Sequence, residues 1–316
     1  MIAAVVQVES RPGEIAFNHA HAMPWIEEAA SRGARLVILP ELFACGYIPN
    51  ETVWQYAETL SGPTVRWLRA VAQRLRIYLG AGFAEVDGTH FYNSFALAAP
   101  DGGLAGCARK AMSEAYCFRY GRGRHLFATD IGQVGAGICA DNHVITFLRL
   151  MEASSIDLLL MPHASPLPFR TSRMITEADR AQAAENLLSV PSLYARRLGV
   201  PVLFANAVGD LQPMSGLFGR LMSPEFFRLP GLSRIVDADG TLRGELGREE
   251  GVLVAEVGTG SVRGSDEEVP DHGGWLHPGS ALVRRVLRPV DLSLARAGYA
   301  LSGRRRRFAR RLVAEA

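Results

Sequence analysis

Four short apolar runs constrain the fold most: Ile2-Ala3-Ala4-Val5-Val6, Leu36-Val37-Ile38-Leu39, Leu158-Leu159-Leu160-Met161 and Val202-Leu203-Phe204-Ala205. Each is too short for a buried helix and lacks polar alternation, so each reads as a strand covered on both faces. Segments with helical spacing lie between them. Asn18–Ser31 is one, with Gly33 as its stop. Ser61 caps another, with Val65, Leu68, Val71 and Leu75 on one face. Val144–Ala153 and Glu177–Leu198, the latter stopped by Gly199, complete the set. Further strands are predicted at Tyr78–Glu85 and Phe91–Ala99 around the turn Asp87-Gly88, at Leu104–Lys110 after Asp101-Gly102-Gly103, and at Val134–Ile138. Ser233–Val236 and Thr241–Glu245 flank the turn Asp237-Ala238-Asp239-Gly240, and Val252–Val257 closes the series. Strands that alternate with helices and then run into hairpins predict a layered α/β fold. Two halves of similar plan predict two sheets face to face with helices outside.

The 316 residues, 48% hydrophobic and 21% charged, suffice for a large core. The start, Met1 to Glu9, has no basic region and reads as a first strand rather than a leader. No stretch reaches the ~20 apolar residues of a membrane span, so a cytoplasmic location is expected. Cys45, Cys107, Cys117 and Cys139 form no C-x-x-C pair, and reduced thiols are expected. The composition shifts near Gly258. A catalytic domain is expected over 1–258, and a polar linker with an Arg-rich extension over 259–316, with short helices at Ala281–Arg288 and Leu292–Ala300. Arg304-Arg305-Arg306-Arg307 and Arg310-Arg311 raise the question of nucleic acid. No aromatic-rich surface accompanies them, and a solvated or partner-packing tail is the expected reading.

Three segments place a reactive group at the end of a buried strand, where α/β enzymes build their sites. Glu41 follows Leu39-Pro40 among apolar neighbours. Burial raises a carboxyl pKa and suits it to carry a proton, although a structural salt bridge would look the same. Lys110 is the one lysine among 34 basic residues, at the end of a predicted strand. Its ammonium is a compact point charge, unlike guanidinium, and fits the role of stabilising an oxyanion. Glu114, four residues on, is placed to orient it. Cys139 follows Gly135-Ala136-Gly137-Ile138 and precedes a helix, the plan of a strand-to-helix nucleophile turn, with Asp141 or Asn142 as N-cap.

In this order and spacing, Leu39-Pro40-Glu41, Arg109-Lys110 and Gly137-Ile138-Cys139-Ala140-Asp141 resemble the Glu-Lys-Cys signature of the nitrilase superfamily, the carbon–nitrogen hydrolases. Asp157 to Pro162, Gly199 to Asn206 and Gly231 to Gly240 extend the resemblance to about residue 258. It implies a four-layer αββα sandwich that pairs into an eight-layer homodimer, with no cofactor and no metal. It implies hydrolysis of a non-peptide C–N bond, in an amide or N-carbamoyl group of a small molecule, through a Cys139 thioester. Glu41 would be base and acid, and Lys110 would bind the oxyanion with the Ala140 N–H. Glu114 would be the family's second glutamate, with Phe118 and Gly121 at the offsets that follow it. Ala140 stands where a bulky residue is common, and Ile145-Thr146 stand at a Pro-Glu position. The Cys-Trp-Glu of true nitrilases is absent, which favours amides over nitriles. Ala140, Asn142 and His163 are the candidate substrate contacts, His163 equally as a hydrogen-bonded structural residue. Arg119, Arg122, Arg124 and Arg170 hint at a carboxylate-bearing substrate.

Three rivals stay open at this level. A Cys-His-Asn protease would use His125, His143 or His163, leaving Glu41 and Lys110 unexplained. An acyltransferase or amide synthase would pass the same thioester to an amine. A binding protein would keep the fold without the chemistry.

Overall fold

The computed structural model describes residues 1–316 apart from 124, 174, 259–261, 263, 267, 279–287 and 316, and leaves aside the side chains of 217, 218, 220 and 288. One six-stranded sheet contains β1 (Ile2–Gln7), β2 (Leu36–Ile38), β3 (Tyr78–Asp87), β4 (His90–Ala98), β5 (Leu104–Arg109) and β15 (Gly251–Glu256), in the order β15-β1-β2-β3-β4-β5. The other contains β6 (Leu126–Thr129), β7 (Gly132–Ala136), β8 (Leu158–His163), β10 (Val202–Asn206), β13 (Arg234–Val236) and β14 (Leu242–Glu245), in the order β14-β13-β10-β8-β7-β6. β1, β2 and β3 are parallel, as are β7, β8 and β10. A small third sheet joins β9 (Leu167–Pro168), β11 (Val208–Asp210) and β12 (Phe227–Pro230). The helices are α1 (Ile15–Ser31), α2 (Pro63–Leu75), α3 (Ile145–Glu152), α4 (Glu177–Leu198), α5 (Gly216–Leu221), α6 (Arg288–Leu301) and α7 (Gly303–Glu315).

Strand periodicity explains the layers. Side chains alternate between faces, and in β1 both sets are apolar. Ala3 and Val5 join Leu36, Ile38, Val134, Leu160 and Leu203 in a core between the sheets. Ala4 and Val6 face outward, packing with Val37 and Leu39 on Ile26 of α1 and Leu68 of α2. In the second sheet Leu159, Met161, Val202 and Phe204 pack outward on Phe147 of α3 and Val190 and Tyr194 of α4. The result is the αββα sandwich. α4 begins and ends as the sequence reads: the Thr176 side chain accepts from the Asp179 N–H, and Gly199 closes it at φ +65°.

The expected helix at Ala281–Arg288 lies outside the described residues up to 287, and the one expected at Leu292–Ala300 falls within α6. The arginine run belongs to α7, a regular helix on which Arg304, Arg306, Arg307, Arg310 and Arg311 are exposed. Arg305 is buried and donates to the carbonyl oxygens of Thr89 and Tyr299. Tyr299 Oη accepts from the Phe91 N–H at 2.9 Å, and Tyr299 and Ala309 join a core cluster with Trp54 and Phe91. Among the described residues no helix is long and apolar enough to cross a membrane.

Candidate active site

Glu41 leaves the end of β2 on a turn that passes close over β3. The Leu39 N–H donates to Gly80 O at 2.8 Å, the Gly82 N–H to Pro40 O at 3.1 Å, and the Ala44 N–H to Gly82 O at 3.1 Å. A Cβ at position 82 would stand 2.3 Å from Leu42 N and 2.7 Å from Glu41 Cα, so only glycine fits there. Leu42 itself is in the left-handed region at φ +48°. The Glu41 carboxylate is buried, and both of its oxygens accept hydrogen bonds. Oε1 accepts from Lys110 Nζ at 2.6 Å and Asn93 Nδ2 at 2.7 Å, and Oε2 accepts from the Ala164 N–H at 2.9 Å. Burial raises its pKa, helped by the nearby Glu114 charge, while Lys110 and Asn93 pull it back only in part.

Lys110 follows β5, and its N–H donates to Asn93 O at 2.8 Å. Its ammonium, 1% exposed, sits between two carboxylates, 2.6 Å from Glu41 Oε1 and 2.6 Å from Glu114 Oε1. Burial opposes its charge, but Glu114 and Glu41 outweigh burial and hold the ammonium well above its ordinary range. Burial likewise opposes the Glu114 charge, and Lys110 outweighs it, lowering the carboxyl. Tyr47 Oη donates to Glu114 Oε1 at 3.0 Å, and Asn93 Nδ2 reaches Glu114 Oε2 at 3.3 Å.

Cys139 stands just past β7, whose neighbour in the sheet is β8; the Gly137 N–H donates to Leu160 O at 2.9 Å. The cysteine adopts φ +50°, a strained conformation for a side chain with a Cβ. It opens a 3-10 turn, Cys139–His143, whose first N–H groups lack acceptors within the turn. This turn displaces the expected helix start. α3 begins at Ile145 after Val144, with no side-chain cap, so neither Asp141 nor Asn142 caps it. Asp141 instead ties two loops together. Its carboxylate accepts from the N–H groups of Met112 at 2.7 Å, Ile138 at 3.2 Å and Ala111 at 3.3 Å. Burial, then the Glu41 charge, push the Cys139 thiol up to about 12, against the pull of Lys110 and Ser165.

The structure brings Glu41, Lys110, Glu114 and Cys139 together. Glu114 and Ala140 open onto a cavity of about 350 Å³, whose wall includes Tyr47, Met112, Met214 and Met222. Leu292 and Ala295 of α6 form part of its roof. Asn142 and His163 are fully buried, lie behind the thiol and do not line this cavity. Arg119 and Arg122 face a different cavity, of about 850 Å³, together with Arg296, Arg305 and Arg306. Arg170 lies over the Phe169 ring, and Arg124 is outside the described residues. Sequence reasoning missed Asn93 and the tying role of Asp141; Tyr47 and Ser165 fall in loops, Tyr47–Trp54 and Pro162–Thr171, expected to line the pocket, without a role of their own. The one signal for Asn93 was the polar pair Asn93-Ser94 inside an apolar strand.

The family model for carbon-nitrogen hydrolases matches residues 2–265. The chain belongs to that family. It is 34% identical to a citrullinase of Francisella tularensis over 51% of this chain and 60% of the relative. It is 31% identical to a chloroplastic omega-amidase of Arabidopsis thaliana over 55% of this chain and 51% of the relative. The match thus spans about half to three fifths of those two proteins. Among solved structures, a carbon-nitrogen hydrolase of Helicobacter pylori G27 superposes with TM-score 0.70 at 22% identity, covering 82% of this chain and 89% of that one. A variant of the amidase from Nesterenkonia sp. AN1, with acrylamide added at its active-site cysteine, gives TM-score 0.66 at 22% identity, covering 81% and 92%. These superpositions show the shared fold. In this carbon-nitrogen hydrolase the side chain after Cys139 is a methyl, so Ala140 leaves open the wall that a bulky residue would fill. Among the described residues no group of three or more His, Cys, Asp or Glu is arranged to hold a metal ion.

Proposed function

We propose that this carbon-nitrogen hydrolase cleaves the C–N bond of a small amide or N-carbamoyl compound through a thioester on Cys139. The observation that carries the reading is the convergence of a thiol, a carboxylate raised by burial and a charged ammonium, next to a cavity that Glu114 and Ala140 line. A thiol pushed up to about 12 stays protonated at rest and needs a base as it attacks. Glu41 takes the S–H proton while sulfur bonds to the carbonyl carbon. The carbonyl oxygen becomes an oxyanion, facing Lys110 Nζ and the Ala140 N–H. Glu41 then gives its proton to the leaving nitrogen, the C–N bond breaks, and ammonia or an amine departs. Water, deprotonated by Glu41, adds to the thioester. Collapse of the adduct releases the acid and restores the thiol. Glu114 fixes Lys110 between the two carboxylates so that its charge faces the reacting oxygen.

The cavity wall supports a largely apolar acyl group, because Met112, Met214, Met222 and Leu292 line it, with Glu114 and Asp291 as its acidic members. Arg119, Arg122 and Arg170 do not line it, so these three give no support for anchoring a substrate carboxylate there. The amide reading also agrees with the omega-amidase relative and with the adduct on the cysteine of the Nesterenkonia amidase. Intact mass spectrometry of wild type and Glu41→Gln tests it, with a panel of primary amides, N-carbamoyl compounds and nitriles. The expected result is an acyl adduct on Cys139 that accumulates in the variant. No adduct with any compound, together with turnover that survives Cys139→Ala, overturns it. Products formed with and without an added amine separate hydrolysis from acyl transfer.

A further inference from the structure

The thiol of Cys139 does not hydrogen-bond the proposed base. Glu41 spends both oxygens on Lys110, Asn93 and the Ala164 N–H, and the described partner of Cys139 Sγ is Ser165 Oγ, at 3.3 Å. Behind Ser165 runs a buried chain. His163 Nδ1 lies 2.9 Å from Ser165 Oγ, and Asn142 Nδ2 lies 2.9 Å from His163 Nε2 and 2.7 Å from Gly137 O. Cys139, Asn142, His163 and Ser165 are all at most 8% exposed.

The direction of every bond in this chain follows from one atom that can only accept. Gly137 O is a carbonyl, so the Asn142 atom facing it must be the NH2 group. The same nitrogen faces His163 Nε2, which must then accept. A neutral imidazole accepting at Nε2 carries its hydrogen on Nδ1 and donates it to Ser165 Oγ. Burial, reinforced by His143 and Lys110, keeps this imidazole neutral. Ser165 Oγ receives that hydrogen, and the remaining described partner for its own O–H is Cys139 Sγ. The backbone holds the serine from the other side: its N–H donates to Asn206 Oδ1 at 2.9 Å, and Asn206 Nδ2 donates to Gly231 O at 2.8 Å. A Cβ at position 137 would fall 2.0 Å from Asn142 Oδ1, so the glycine before the nucleophile makes room for the first link.

We propose that Ser165 is a further catalytic residue of this site, donating a hydrogen bond to the Cys139 sulfur, with His163 and Asn142 as positioning residues that aim its hydroxyl. The chain transfers no proton. It stabilises the negative charge that grows on sulfur as Glu41 removes the thiol proton, and that returns when the thioester breaks. It differs from a Cys-His pair, because His163 Nε2 is occupied and Nδ1 already bears hydrogen. The proposal rests on the reading of Cys139 as nucleophile. The charged or titratable groups facing the sulfur from other segments are Glu41, Lys110, Glu114 and Tyr47. None of them changes in the variants below.

The test is alkylation of Cys139 by iodoacetamide, followed on its own peptide by mass spectrometry across pH, in wild type, Ser165→Ala and Ser165→Thr. Loss of the donor in Ser165→Ala raises the thiol pKa by about one unit; the thiolate fraction at pH 8 falls about tenfold and, offset in part by the greater nucleophilicity of a more basic thiolate, the rate falls about three- to fourfold. Ser165→Thr keeps a hydroxyl and restores most of that rate. Equal rates and profiles for Ser165→Ala and wild type overturn the proposal, as would failure of Ser165→Thr to recover in a folded protein. The 15N shifts of His163 in the unmodified enzyme give a check that needs no variant. Hydrogen on Nδ1 and a bare Nε2 are expected, and the opposite tautomer overturns the chain. If wild-type Cys139 alkylates at no pH, the nucleophile reading falls, while the tautomer still decides the direction of the hydrogen bonds.

Discussion

Replacing Lys110 by Met removes the ammonium and keeps most of its volume. In the native protein this cation lies 2.6 Å from each of two carboxylates and is 1% exposed. Removing one partner from a buried ion pair costs about 3–5 kcal/mol, because the other charge is left buried. Here the residue is softened. Glu41 retains Asn93 and the Ala164 N–H, and Glu114 retains Tyr47 and a side chain 14% exposed. The lower end, about 3 kcal/mol at pH 8, is therefore expected. The sign of the pH dependence follows from the two states. In wild type Lys110 lowers Glu114, whose contribution is present above the ordinary carboxylate range and lost as pH falls through the lowered value. In the variant only burial remains dominant, and it raises both carboxyls above their unfolded values. They destabilise the fold at high pH, and the penalty fades as pH falls and they protonate. Urea unfolding of both proteins at pH 8, 6.5 and 5 measures the difference. It should be largest at pH 8 and shrink by roughly 1.4 kcal/mol for each unit of raised pKa that is titrated. A difference that is absent, or constant with pH, would falsify the account of Lys110 as the charge that makes two buried carboxylates tolerable.

Glu41→Gln should lower kcat about 10²- to 10⁴-fold with circular dichroism unchanged; loss of fold or retention of turnover would sink the role given to it. Because burial raises Glu41, kcat/KM should fall on the acid side as pH drops through a value above the ordinary carboxylate range, and a limb at an ordinary carboxylate value would contradict this. Gly82→Ala places a Cβ 2.3 Å from Leu42 N, so stability should drop by more than about 2 kcal/mol and activity should disappear with the displaced Glu41 turn. Asp141→Asn turns a three-fold acceptor into a group that points a donor at backbone N–H groups. It should cost about 1–3 kcal/mol in denaturant and lower kcat more than it changes KM.

The sequence was most legible where one chain direction sufficed. Apolar runs without alternation marked β1, β2, β8 and β10, since strands covered on both faces have no polar side to show. The same logic exposed Glu41 and Cys139, each past a buried run; Lys110 follows β5, which is mostly half-buried, and stood out as the one lysine of the chain. What stayed hidden depends on cross-chain neighbours. Asn93 lies in mid-strand and matters because β4 runs beside β5 and places it against both Glu41 and Glu114. Ser165 sits in a proline-rich loop and meets Cys139 across 26 positions of sequence. Asn142 was read as a substrate contact, and His163 equally as a contact or a hydrogen-bonded structural residue, because a loop near a nucleophile gives no sign of which side its side chains take; His163 is hydrogen-bonded and buried. β6 is too short for periodicity to show, and the strands of the third sheet pair across distant loops. The buried role of Arg305 was invisible within a run of four arginines, since only the position of Thr89 and Tyr299 distinguishes it from its neighbours.

The cavity is assembled from two sources that differ in how freely they can vary. The reactive groups beside it hang from strand ends locked by Gly82, Asp141 and the sheet ladders, where a displacement of one side chain disturbs several bonds. Part of its roof comes from α6, which is anchored at Asp291, where Tyr116 Oη donates to Oδ1 at 2.6 Å, and at Tyr299, while Leu292 between them is only half-buried. Selection acting on the roof can therefore reshape the acyl pocket while the bond-breaking apparatus stays intact. A laboratory search for new amides has the same opening: randomising the half-buried Leu292 explores specificity with little risk to the reactive groups, whereas Ala295, 1% exposed, has no room for a larger side chain.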